Sequence, residues 1–249
     1  MKAVGLEFYK LRRKRVLLMI VLFLTVELGW AFVSAGMAIS RNPEKAGWEG
    51  VLVTIASMNG LFLPILSAVV VSRICDMEHT GNTWKLLMAA SFKRSGIYAA
   101  KYACACLLLL LFIILQSMAI LCFGIANGFE QSFPLSLLLR FAAGTMLASL
   151  AVIALQQWIS FSVKNQAFGL GLGMIGGFIG MAADLFPEAV RRIFIWSYYT
   201  GLSPISYKYE NETMEFVTRG FEPYLPAAAL LIGAAVYLIG SIHASRQEE

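Results

Sequence analysis

Charge is scarce in this 249-residue chain, and the residues that could do chemistry fall into a few short stretches. The most patterned is 73–101, RICDMEHTGNTWKLLMAASFKRSGIYAAK, a polar-edged island between two apolar runs. It opens acidic (Asp76, Glu78), passes a flexible centre (Thr80-Gly81-Asn82-Thr83), then carries Trp84-Lys85-Leu86-Leu87-Met88 and ends basic (Lys93, Arg94, Lys101). An indole and paired leucines on a polar loop are equipped for recognition rather than bond-making, because they need a surface to hide in. Two such surfaces fit: a groove on a partner protein, or the membrane face, on which this piece would lie as an interfacial helix.

Glu27 is the second candidate. It lies deep within an apolar run, where a carboxylate costs at least about 2.5 kcal/mol and must face other helices or water. It reads either as a substrate- or proton-pathway group or as a carboxyl hydrogen-bonded to a neighbouring helix, with Gln116, Gln156 and Gln157 as candidate partners. The third is a run of glycines, Gly169, Gly173, Gly176, Gly177 and Gly180, in which 169/173, 173/177 and 176/180 are i, i+4 pairs. That spacing leaves a flat face for close helix approach, within the chain or to a second subunit.

Other chemistries find no support. No Gly-x-x-x-x-Gly-Lys-Ser/Thr phosphate loop, His-Glu-x-x-His motif or Gly-x-Ser-x-Gly elbow occurs. Cys104-x-Cys106 has no His or carboxylate close in sequence to complete a metal site, and Cys75 and Cys122 stand apart, so the four cysteines read as small packing residues. No enzyme site, metal or directly bound cofactor is expected.

The elements that position these residues follow from composition. The chain is 59% hydrophobic and 14% charged, with a mean hydropathy of +0.71. A soluble domain carries about 25% charged residues, so this chain reads as an integral membrane protein, all-α and a single domain over 1–249. Apolar runs at about 16–39, 51–72, 102–125, 135–163, 167–186 and 224–243 predict six spans. Residues 1–15, basic with Val4, Phe8 and Leu11 at helical spacing, predict an interfacial helix rather than a cleaved leader. With six spans, 13 of the 20 basic residues fall on the side of both termini and 73–101, which the positive-inside rule makes cytoplasmic. The positive charge is divided among short segments rather than gathered on one soluble face, which argues against nucleic acid. On the outer side, 184–223 is aromatic and then acidic. It reads either as an ordered loop or as a segment that dips back into the bilayer around 190–196.

The loop resembles the one between the second and third spans of ABC type-2 exporter permeases. The matching positions are Glu78, Gly81, Leu86, Leu87, Arg94 and Lys101, and Glu78-x5-Trp84-Lys85-x-Leu87 looks like the branch that confers lantibiotic immunity or exports bacitracin-like peptides. Many members have a Pro between the Leu pair and the Arg, where this chain has Ala89-Ala90-Ser91-Phe92. The resemblance implies a coupling role for Glu78, Gly81, Trp84, Lys85, Leu86, Leu87 and Arg94. It also implies a separate cytoplasmic ATPase, in two copies, holding ATP and Mg, and a second identical or related permease. The setting would be a bacterial plasma membrane, and the cargo amphipathic antimicrobial peptides. Export of a lipid, glycolipid or ion is the alternative. A secondary transporter would need inverted repeats and further midplane charges, and neither is visible.

Overall fold

The computed structural model describes residues 2–11, 14–41, 47–81, 94–129, 134–163, 165–210, 213–220 and 222–246. Helix α1 (Lys2–Leu11) leads through a corner at Arg15, whose φ of 53° lies in the left-handed region, into α2 (Val16–Arg41). Then come α3 (Trp48–Gly81), α4 (Arg94–Ala126), α5 (Leu135–Ser162) and α6 (Gln166–Met181). A chain of single turns follows: Ala183–Leu185, α7 (Glu188–Arg191), Ile195–Ser197 and α8 (Tyr198–Gly201). A hairpin of β1 (Ile205–Glu210) and β2 (Thr213–Thr218) precedes α9 (Tyr224–Arg246).

Among the described residues, five helices are long and apolar enough to cross a membrane: α2, α3 over Trp48–Asp76, α4, α5 and α9. The expected span at 167–186 is shorter, because α6 ends at Met181 after 16 residues, about 24 Å against roughly 30 Å of hydrocarbon. Asn165 caps its start by accepting a hydrogen bond from the Ala167 N–H at 3.0 Å. Within the expected loop at 73–101, α3 runs on to Gly81 and α4 already begins at Arg94. The loop's edges carry no Pro, and the expected span limits followed hydropathy, which says where lipid ends and not where a helix ends.

The hairpin departs from an all-helical reading. Ile205 pairs with Thr218 and Tyr207 with Phe216, and the period-2 alternation of Ile205, Tyr207 and Tyr209 suits a strand buried on one face. Ile205 is buried with Trp48, Leu52 and Phe141. This defines a hairpin end of the bundle, opposite the end at which α1 packs.

The core turns on the crossing of α3 and α6, which run antiparallel. Pro64 has no N–H, so the Gly60 carbonyl one turn earlier loses its helical donor. That carbonyl lies where a Cβ on Gly180 would fall. A Cβ on Gly177 would sit 2.6 Å from the Leu61 carbonyl, and one on Gly173 would meet Pro64 O at 3.1 Å. Gly176 faces the Trp196 indole, and Gly169 is 3.4 Å from Ser160 Oγ by the same construction. The glycine face is therefore occupied within the chain.

Trp196 and its neighbours lie deep. The Tyr199 hydroxyl is 3.2 Å from Ser149 Oγ, halfway along α5, and Tyr198, Tyr199, Thr200 and Gly201 are all buried. The segment after α6 thus folds back to the middle of the bundle and fills the space above the short helix. Overpacking a tight contact costs about 1–3 kcal/mol. Gly177→Val should therefore lower the thermal midpoint of the protein in detergent, while Gly171→Ala, where a Cβ meets nothing within 4 Å, should leave it unchanged.

Candidate coupling and pathway sites

The loop residues singled out from sequence divide at the helix ends. Glu78 and Gly81 belong to the last turns of α3, and Arg94 is the first residue of α4. Trp84, Lys85, Leu86 and Leu87 lie outside the described residues. The two helical extensions that carry the loop are joined by Lys101. Expected as a basic loop exit, it is fully buried: its Nζ donates to the Ile74 carbonyl at 2.8 Å and to Glu7 Oε2 at 3.0 Å. Lys10 donates to the other Glu7 oxygen at 2.8 Å. One ammonium thus ties α3, α4 and α1 together beside the loop.

Glu7 was not among the sequence candidates. The only hint was a lone acid in a basic helix with Lys10 three residues on. A further surprise is that α1 buries Glu7 and Leu11 against the bundle while Leu6, Phe8 and Tyr9 point outward. The helix is therefore clamped at one face and apolar at the other. Removing one partner of a buried pair strands the other charge at a cost of about 3 kcal/mol. Lys101→Met should accordingly speed amide exchange throughout α1, and Glu7→Gln combined with Lys101→Met should restore part of the protection.

Near the middle of α2, Glu27 is fully buried and accepts a hydrogen bond from Gln116 Nε2 at 3.0 Å. Gln116 also donates to Asn59 Oδ1 at 2.9 Å and accepts from Asn59 Nδ2 at 3.3 Å. The other oxygen, Glu27 Oε2, has no hydrogen-bond partner among the described residues. Of the three glutamines named from sequence, the structure brings only Gln116 to Glu27. Gln157 donates to the Tyr98 carbonyl at 2.7 Å. Gln156, with its amide turned to suit both neighbours, reaches Gly169 O at 3.1 Å and Gly173 N at 3.2 Å. Asn59 carried no sequence signal beyond being polar within a span.

Glu27→Gln keeps the contact to Gln116 and should leave stability nearly unchanged, whereas Glu27→Leu should cost about 1–2 kcal/mol for the lost bond. If the carboxyl also serves a pathway, Glu27→Gln abolishes transport while the unfolding midpoint stays put. Measuring both separates the two roles.

At the hairpin end a cavity of about 560 Å³ opens between α5, α9 and the folded-back segment. Four arginines line it, Arg140, Arg191, Arg192 and Arg219, with Glu188 and Glu222. Arg219 Nη1 donates to the carbonyls of Thr200 and Gly201 at 3.1 and 3.2 Å, and Arg140 Nη2 donates to the Arg219 carbonyl at 2.9 Å. Burial, with Arg191 nearby, holds the Arg219 guanidinium below the ordinary arginine value. In the sequence these arginines counted only as outer-side charge; they come from three separate segments, so no motif unites them. Among the described residues no group of His, Cys, Asp and Glu could hold a metal ion.

Five membrane-length apolar helices among the described residues, joined by buried polar ties, make this a multi-pass membrane protein. The chain belongs to the ABC-2 family transporter proteins, whose sequence model matches residues 3–180. It is thus a transmembrane permease subunit, a transport rather than a catalytic component, and membership implies partnership with an ABC ATPase. A search of curated proteins gave no match. The matched stretch runs from α1 almost to the end of α6, and the folded-back segment, the hairpin and α9 lie beyond it.

Proposed function

We propose that this chain is the membrane half of an ATP-driven exporter in a bacterial plasma membrane, with α6 as the sixth crossing and both termini cytoplasmic. The observation that carries this reading is the mounting of the loop at 82–93. It hangs between helical extensions of α3 and α4 that Lys101 ties to each other and to α1. A helix of 34 residues is about 51 Å long, so α3 outruns roughly 30 Å of hydrocarbon. In this reading Trp84, Lys85, Leu86 and Leu87 dock in a groove on the ATPase, and Glu78, Gly81 and Arg94 frame them. Motion received there enters the bundle through the α3–α4–α1 junction, with α1 lying along the cytoplasmic membrane face on Leu6, Phe8 and Tyr9.

Two ATPase copies and a second permease complete the assembly. Since α3 fills the glycine face of α6, the partner permease would meet the outer face of α2, where Leu18, Leu22, Trp30 and Val33 are exposed. The cargo proposed is a lantibiotic-like amphipathic peptide taken from the membrane, supported by the Glu78-to-Leu87 resemblance. Export of a lipid or glycolipid is the second reading, favoured by the arginine-lined cavity, which suits an anionic amphiphile.

Co-expression with a candidate ATPase tests the assembly. The two should co-purify, and Trp84→Ala with Leu86→Ala and Leu87→Ala should cut the permease-stimulated ATPase activity at least fivefold. Unchanged stimulation removes the loop from the coupling role. Deleting the gene should sensitise its host to lantibiotic-type peptides, and unaltered sensitivity across such peptides rejects that cargo without touching the assembly.

A further inference from the structure

We propose that the cavity at the hairpin end binds the net-anionic phosphate headgroup of a membrane amphiphile. Four guanidiniums line it with two carboxylates; acids answer Arg191 and Arg192, and Glu222 lies near Arg219, so the excess positive charge rests on Arg140 and Arg219. Glu188 is spent on Arg192 in a pair whose members are both largely exposed, and Arg191 is 3.1 Å from Asp184. Arg140 and Arg219 have no ion-pair partner among the described residues; their observed bonds go to backbone carbonyls. Arg219 uses only one Nη for Thr200 and Gly201, and its partly buried guanidinium keeps further donors for a ligand.

Like charges gathered in a partly desolvated hollow repel one another, and an anion there relieves the repulsion. A planar guanidinium presents paired N–H donors that match phosphate oxygens. Leu147, Leu202, Leu225 and Pro226 add an apolar part to the wall, with Ser197, Tyr198, Ser203 and Tyr224 beside it, so the hollow offers a place for the start of an acyl chain beside the charge. A phosphate bearing a hydrocarbon tail satisfies both parts, and free phosphate satisfies one. Arg140 and its α5 neighbours lie inside the stretch that matches the family and the rest of the lining lies beyond it, and the site holds whatever the cargo is.

The full chain in zwitterionic nanodiscs, titrated with short-chain phosphatidylglycerol, phosphatidylcholine and inorganic phosphate, tests this. Phosphatidylglycerol should bind about tenfold tighter than either of the others, and Arg140→Gln should weaken it about tenfold, as expected for the loss of one charge-assisted hydrogen bond. Arg219→Gln can disturb the fold through Thr200 and Gly201, so the second variant is the exposed Arg192→Gln, which should weaken binding without moving the unfolding midpoint. Equal binding of both lipids, or wild-type affinity in both Arg140→Gln and Arg192→Gln, overturns the proposal. Inorganic phosphate binding as tightly as phosphatidylglycerol overturns the lipid assignment in favour of a free-anion site.

Discussion

A polar group inside hydrocarbon has no water to turn to, so a partner from another part of the protein matters more there than at the surface. That constraint shapes this bundle more than any single apolar contact. Lipid is as apolar as leucine and gives helices little reason to leave it for one another. Here α1, α3 and α4 are joined at Lys101, α2, α3 and α4 at the Glu27–Gln116–Asn59 set, and the folded-back segment meets α5 where Tyr199 meets Ser149. Each tie lies at a different level of the bundle, so together they fix its register along the membrane normal.

Between these ties the helices pack by shape. Pro64 and the glycines of α6 act at one place: the proline frees a carbonyl, and the glycines let the opposing backbone come up to it. A Cα–H to carbonyl contact is worth about 0.5–1 kcal/mol, and the close approach adds dispersion along the whole crossing. Because α6 is short, the crossing also leaves room above it. The segment around Trp196–Tyr199 takes that room, and this brings Arg191 and Arg219 near Arg140.

Much of the architecture was legible in the sequence because lipid imposes a coarse code. Five of the six expected spans, the buried Glu27 and the glycine face of α6 are all local patterns of hydropathy or spacing. What escaped was set by contact between distant segments. Lys101 looked like a loop charge because its partner Glu7 is 94 positions away. The true length of α3 and α4 was hidden because polar helix and polar loop read alike. The cavity draws on α5, the folded-back segment and the approach to α9, so its arginines never came together in the sequence. The hairpin did show period-2 alternation, but it was read as part of an outer loop.

The shortness of α6 also acts on the lipid. Its outward side chains, from Phe168 to Met181, present an apolar face no longer than the helix itself, about 24 Å, beside neighbours that reach the full hydrocarbon thickness. In the proposed topology, with α6 as the sixth crossing, lipid against that face thins to match it wherever the exposed Leu185 and Ile193 do not extend it, at a cost of fractions of a kcal/mol per Å of mismatch. The elastic strain of that mismatch would be stored in the bilayer, on one side of the bundle only.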